Sequence, residues 1–409
     1  MVRPRDAGPR DDRDATQRKQ TLWFTYIMMN KKIIMAGSPT FKSPTRTGIH
    51  HYAELFARNG WDVFFLSSQL SPLHFIRKKD RVYSKEKIRL WSRGGAWENN
   101  IFSYSYITLL PILPFWSSDF FVRNTLKFTL PRLSNVFKKH GFSHPDLIWI
   151  ENPHFVELPS MVKHKVLLFR INDEISGIGD HSSFIVKRYQ DVMESADLVI
   201  TTAKRLYNRN MDLGCKVLYL PNGVNPDHFI GNFLEPEEFR DIPSPRILYA
   251  GIIATRFDQE LVIQCAKKLR DASFVIIGPA IVDTSKMASV GNIHMLGPKK
   301  YEELPAYLTY ADVGIIPFKI NKFVESVNSI KLYEYMTAGL PVVCTDWEEI
   351  REMQSPAMIA GNAGIFCECI ERSLEIKKKG ELVSYAKSNS WESRFQKIVH
   401  EIERVAPPL

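Results

Sequence analysis

Runs of four to six apolar residues, each bounded by turn formers, alternate along this chain with stretches whose apolar positions recur every three or four residues. The first pattern predicts buried parallel strands, because a strand covered on both faces reads as continuous hydrophobicity. The second predicts amphipathic helices, which keep one polar side. In the first half, strands are predicted at Ile33–Ala36, Val63–Leu66, Leu147–Glu151, Val166–Arg170, Leu198–Thr201 and Val217–Leu220, and helices at His50–Arg58, Phe121–Lys139, Phe184–Glu194 and Ala203–Asp212. The chain then turns polar and proline-rich over Asn225–Ser244, as a linker does. A second alternating run predicts strands at Ile247–Ala250, Phe274–Ile277, Ile293–Leu296, Val313–Pro317 and Val342–Cys344, with helices near Gln259–Leu269, Tyr301–Thr309, Ile330–Ala338 and Ile370–Lys378. Trp391–Val405 is again periodic and is expected to fold back across both halves.

Alternating strands and helices imply parallel sheets with crossover helices. The fold class read from this pattern is α/β, with two Rossmann-like doubly wound domains facing a cleft. At 409 residues the chain is too long for one core and fits two. We divide it into a disordered tail (1–28), a first domain (29–225), a linker (226–245), a second domain (246–388) and a returning helix (389–409). Ligands of such sheets sit beyond the carboxyl ends of the strands, so the cleft is the expected site.

The net charge of +9 is local: residues 71–140 hold 13 Lys+Arg against 4 Asp+Glu, and the remainder sums to zero. Within that segment cations alternate with aromatics, around Arg77, Lys78 and Lys79 and again around Arg123 and Lys127. Such a face suits an anionic membrane surface, with rings among the headgroups, or is a solvated face. No nucleic-acid motif accompanies it, so no nucleic-acid partner is expected. Five scattered cysteines argue against a disulfide framework, and Cys367-Glu-Cys369 lacks a second pair at zinc spacing. The first 22 residues are rich in Arg, Asp and Pro and show no signal-peptide pattern. No stretch reaches the roughly 20 apolar residues that cross a bilayer. The expected location is cytoplasmic, peripheral to the inner face of the membrane.

The most informative stretch is Ser326-Val-Asn-Ser-Ile-Lys331-Leu-Tyr-Glu334-Tyr-Met-Thr-Ala-Gly339-Leu-Pro341. Asn328 or Ser329 is placed to cap a helix, Gly339 to end it and Pro341 to stop it resuming. A helix start at Ile330 presents unpaired N–H groups and partial positive charge beside the Lys331 ammonium, which suits a diphosphate. Glu334, three residues on, shares a face with Lys331 and can accept from ribose hydroxyls. The alternative is an ordinary surface helix. Tyr249-Ala-Gly251-Ile-Ile253-Ala-Thr-Arg256 opens the second half, where Gly251 allows close backbone approach to a ligand and Arg256 adds a cation.

The first strand–loop–helix junction, Gly37 to His51, lacks both dinucleotide and Walker fingerprints. Lys42 and Arg46 are placed to meet a pyrophosphate there. His50, at a helix start, is a candidate catalytic group or a packing and capping residue. Asp173, just past a strand that ends in Phe169-Arg170, can serve as general base on an acceptor hydroxyl or simply form a turn.

In order and wording these segments resemble the family of the inverting, membrane-associated glucuronosyltransferase of xanthan side-chain assembly, a GT-B glycosyltransferase. The resemblance spans most of residues 33–345 and rests on Thr45-Arg46-x-x-Ile49-His50, Arg170-x-x-Asp173-x-x-Ser176, Phe257-Asp258 and Ser329-x-Lys331-Leu332. It implies a UDP-sugar donor, UDP-glucuronate in that family, and a polyprenyl-diphosphate-linked oligosaccharide acceptor. No metal or other cofactor is expected, since the helix start at Ile330, Lys331 and Arg256 can neutralise the leaving diphosphate. The resemblance also implies Asp173 as base, Lys331 and Ser329 at the donor, and Phe318 near a donor-site tyrosine position. Glu334 stands where that family has a glutamine but agrees with the glutamate of the broader GT-B pattern. The second acid of the retaining-enzyme motif is replaced by Ser326, with Glu325 the nearest acid. A retaining GT-B hexosyltransferase and an inactive nucleotide-sugar-binding protein of the membrane surface are the alternatives.

Overall fold

A computed structural model describes residues 31–43, 45–70, 81–110, 119–174, 183–376 and 379–406. The first lobe is built on β1 (Lys32–Gly37), β2 (Asp62–Ser67), β3 (Ala96–Glu98), β4 (Ile101–Tyr104), a small ribbon of β5 (Ile107–Thr108) and β6 (Thr129–Leu130), then β7 (Leu147–Ile150), β8 (Val166–Ile171), β9 (Leu198–Thr201) and β10 (Lys216–Tyr219). Eight of these strands form one sheet in the order β10-β9-β8-β7-β1-β2-β4-β3, parallel except for β3. The second lobe holds β11 (Arg246–Ala250), β12 (Ser273–Ile277), β13 (Ile293–Gly297), β14 (Val313–Ile316), β15 (Val342–Thr345) and β16 (Met358–Ala360) in the order β13-β12-β11-β14-β15-β16, all parallel. Both sheets reverse direction of winding beside their first strand, which opens a crevice at the carboxyl ends.

Four helices frame the site: α1 (Gly48–Arg58), α2 (Gln259–Lys268), α3 (Ile330–Thr337) and α4 (Trp391–Val405). The Asp258 side chain caps α2 by accepting the Leu261 N–H at 3.2 Å, a contact that contributes about 1 kcal/mol. Trp391, Phe395, Ile398, Val399 and Ile402 of α4 are buried in the first lobe against Phe56 and Trp149. The C-terminal helix therefore returns across the junction and covers one face of the first sheet.

Three predicted elements are corrected. The long helix over Phe121–Lys139 is two helices, Asp119–Asn124 and Leu133–Lys139, separated by β6. Pro131 explains the break: it has no N–H to donate, and it drives the residue before it out of helical backbone. The helix placed at Ile370–Lys378 runs instead over Ala363–Leu374, its start fixed by Asn362, whose side chain accepts the Ile365 N–H at 3.0 Å. Residues 226–245 are no free tether, because Phe229, Phe239 and Ile242 are buried in the core of the second lobe.

Candidate active site

Between the lobes lies a cavity of about 580 Å³, lined from both sides by residues at the carboxyl ends of the strands. The second-lobe wall is formed by Ala250–Ile252, Ile277–Pro279 and the start of α3, with Ser329, Ile330, Lys331 and Glu334 all lining the space. Local chemistry fixes this wall. The Tyr335 hydroxyl accepts the Ala250 N–H at 2.7 Å and so locks α3 to the end of β11. Gly339, at φ +73°, adopts the left-handed backbone that ends α3. Gly251 leaves a slot for the lysine: a Cβ there would stand 2.1 Å from Lys331 Cε and 2.7 Å from Nζ. The Lys331 ammonium lies 5.7 Å from the Tyr249 ring centre. Burial lowers its pKa and the neighbouring Arg256 lowers it further, while Glu334 opposes both. Burial raises the Glu334 carboxyl, and Lys331 pulls it back. The pair is poised to take a ligand that brings negative charge to the lysine and hydroxyl groups to the glutamate.

The first-lobe wall carries Asp173, just beyond β8, with Asn172, Glu151 and Arg170. Glu151 and Arg170 are a buried ion pair at 3.0 Å, with side chains 6% and 1% exposed. Glu151 also accepts from Trp149 Nε1 at 2.9 Å and from Asn172 Nδ2 at 2.8 Å. Both of its oxygens are thus engaged within the first lobe. Gly48, at the start of α1, makes room for Arg170, whose guanidinium nitrogens would meet a Cβ there at 2.8 and 2.9 Å. Burial pushes the Asp173 carboxyl above the usual carboxylate range, opposed by Arg256 and Arg170. Its pKa therefore moves in the direction a general base requires.

The remaining sequence candidates fall as follows. His50 is fully buried; its Nδ1 accepts the Thr47 N–H at 3.0 Å and its Nε2 sits 3.0 Å from the Thr40 carbonyl. With both ring nitrogens used and its pKa pushed down to about 4 by burial, it is a capping residue, and the catalytic expectation for it is corrected. Ile253 is buried in the second-lobe core and bridges to Ala280, so Ile252 lines the cavity in its place. Ser329 occupies the N-cap position of α3 without a side-chain cap bond. Asn328 does not cap either; it bonds across to the first lobe. Arg256 and Phe318 both line the cavity, the guanidinium 5.9 Å from the ring centre. Arg46 lines it too and is paired with Glu54, whereas Lys42 pairs with Glu98 at 2.7 Å and faces a neighbouring hollow. Arg123 and Lys127 are exposed on the first lobe, in the stretch between β5 and β6. Arg77, Lys78, Lys79 and Ser176 lie outside the described residues. Sequence reading missed Glu151 and Tyr301, whose only local signals are an acid at a strand end and an ordinary loop residue.

With this geometry in view, the comparisons with known proteins align. Residues 35–202 match the family model described as glucuronosyltransferase GumK, N-terminal domain, and residues 244–375 match that of glycosyl transferases group 1. The "Putative teichuronic acid biosynthesis glycosyltransferase TuaH" of Bacillus subtilis (strain 168) is 25% identical over 264 residues, 58% of this chain. The matched region spans 64% of that relative's length. Among solved structures, sucrose-phosphate synthase from Thermosynechococcus elongatus superposes with a TM-score of 0.66 at 14% identity, covering 92% of this chain and 99% of that one. Anabaena Alr3699/HepE, in complex with UDP and glucose, gives 0.63 at 10% identity, covering 91% and 100%. These likenesses show the shared architecture. Its two halves match glycosyltransferase domain models in this order, and the chain has the two-lobed GT-B glycosyltransferase fold.

Proposed function

We propose that this protein transfers a sugar, glucuronosyl in our reading, from a UDP-sugar to a lipid-linked oligosaccharide in the synthesis of a cell-surface polysaccharide, with inversion at the anomeric carbon. The observation that carries the reading is one cavity with the Lys331–Gly251–Glu334 cradle on one lobe and the Asp173 carboxyl on the other. UDP would place its diphosphate at the start of α3 beside Lys331 and its ribose against Glu334. Asp173 would take the proton from the acceptor hydroxyl as its oxygen attacks the anomeric carbon from the face opposite UDP. The bond to the diphosphate oxygen then breaks, and Lys331, Arg256 and the α3 amides hold the departing charge. With that charge met by side chains, turnover is expected to proceed in the presence of a chelator.

The acceptor side of the reading draws on the first lobe. Phe120, Phe128, Leu109 and Leu130 are 48–58% exposed around β5 and β6, beside Arg123 and Lys127. No helix among the described residues is long and apolar enough to cross a membrane. We propose that this aromatic and cationic edge rests on an anionic bilayer, bringing the cleft to a lipid-borne acceptor.

The direct test is UDP release from UDP-glucuronate and other UDP-sugars with lipid-linked acceptor, followed by assignment of the product anomer. No UDP release with any donor would overturn the transfer reading. A product that retains the donor's configuration would remove Asp173 as base.

A further inference from the structure

Glu349 opens the short helix Glu348–Glu352 that follows β15. It belongs to the second lobe and is fully buried, yet two of its three partners are in the first lobe. Its Oε2 accepts the Lys204 backbone N–H at 2.7 Å, and its Oε1 accepts the Tyr219 hydroxyl at 3.0 Å. The third donor is Asn328 Nδ2, at 2.8 Å. Asn328 is also buried. Its Oδ1 accepts the Asn222 N–H at 2.9 Å and its carbonyl accepts Asn222 Nδ2 at 2.7 Å. Asn222 Oδ1 in turn accepts Arg170 Nη2 at 2.7 Å. A continuous hydrogen-bonded path therefore runs from the strand end that leads to Asp173, through Asn222 and Asn328, to a carboxylate fixed on the edge of the first sheet.

The position of Asn328 gives this path its meaning. It immediately precedes Ser329, the N-cap of α3, and so stands three residues before Lys331. A buried charge is a poor way to add stability, since apolar residues of similar volume would hold two lobes together as well. Directional bonds do what an apolar contact does not: they fix the rotation and register of one lobe on the other. Transfer depends on that register, because a misplacement of about 1 Å between reacting groups can cost about a hundredfold in rate.

We propose that Asn328 and Glu349 are positioning residues, which hold the start of α3, and with it the donor cradle, in register with the strand end carrying Asp173. The proposal rests on reading the cleft as the transfer site. It is tested with Asn328→Ala, Asn222→Ala, their double variant and Glu349→Gln, each checked for wild-type circular dichroism. For Asn328→Ala we expect kcat to fall by at least about tenfold. UDP affinity by calorimetry and donor KM should stay within about twofold, because the cradle itself lies within the second lobe. Both alanines interrupt one path, so the double variant should be no slower than the slower single variant. Unchanged kcat in folded variants overturns the proposal, and so does a loss of UDP affinity as large as the loss of kcat. If Asn328→Ala does not fold, Asn222→Ala and Glu349→Gln carry the same comparison. If the wild type releases no UDP, the transfer reading fails, and small-angle scattering then judges the clasp alone. A larger radius of gyration in the variants supports it, and an unchanged one overturns it.

Discussion

Replacing Gly251 with alanine probes the donor site through the position of Lys331. The new Cβ would stand 2.1 Å from Lys331 Cε, where carbon atoms in contact need about 3.5 to 4 Å. The lysine stem must therefore withdraw by about 1.5 Å, and because the Gly251 backbone, at φ +157°, is one that L side chains rarely adopt, stability should also fall by about 1–3 kcal/mol. Binding is weakened through the displaced lysine. With an effective dielectric of about 20, an ammonium about 3 Å from a phosphate charge contributes about 5.5 kcal/mol, and at about 4.5 Å about 3.7 kcal/mol. The difference of about 2 kcal/mol corresponds to roughly 30-fold weaker UDP binding. Calorimetry with UDP, paired with thermal melts, makes the comparison. In a Lys331→Ala background the same substitution should have little further effect, since the atom it displaces is gone. Unaltered UDP affinity in Gly251→Ala, or an equal further loss in the Lys331→Ala background, would refute the reasoning.

Other outcomes follow from the same geometry. Asp173→Asn should lower kcat by about 10²- to 10⁴-fold while UDP affinity holds within about twofold; in the wild type the rate should rise with pH through the elevated Asp173 pKa. Glu151→Ala leaves the buried Arg170 without its counter-charge, and chemical denaturation should show a loss of about 3–5 kcal/mol. His50, neutral in the folded protein with a pKa near 4 against an ordinary 6.5, stabilises the fold fully above pH 6.5, and that contribution is lost as pH falls toward 4. The loss amounts to about 3 kcal/mol, so melting temperature should fall less steeply over that range in His50→Gln. Phe128→Ser with Lys127→Glu should weaken sedimentation with anionic vesicles and leave turnover on a water-soluble acceptor unchanged.

The sheets were legible because parallel strands covered on both faces leave apolar runs that nothing else in the chain imitates. Leu198–Thr201 and the helix Trp391–Val405 were read to the residue. Strands without such a run were missed: β3 is exposed along its length, and β5 and β6 have two residues each. The region from β3 to β6 also misled because Phe121–Lys139 keeps helical spacing through Pro131, and one breaker outweighs the period.

Lys331 and Glu334 could be read because they stand one turn apart on a helix whose start and glycine stop are beside them in the chain, and Asp173 because it follows a strand end. The cluster of Glu151, Arg170, Asn222 and Asn328 could not, because its members meet only after both sheets have formed. The cluster bears on which acid suits the proposed role of base. Among the described residues lining the cavity, three carboxylates compete: Glu151, Asp173 and Glu334. Glu151 accepts from Arg170, Trp149 and Asn172, with both oxygens engaged. Glu334 faces Lys331 on the donor side. Glu325, the acid nearest the position a retaining enzyme would use, instead accepts the Glu348 N–H at 2.6 Å and holds a helix start. Asp173 stands on the opposite wall, with its pKa raised by burial. With UDP placed at Lys331 as proposed, Glu334 is taken up on the donor side and Asp173 is the carboxylate across the cavity from the leaving group, the arrangement an inverting displacement needs.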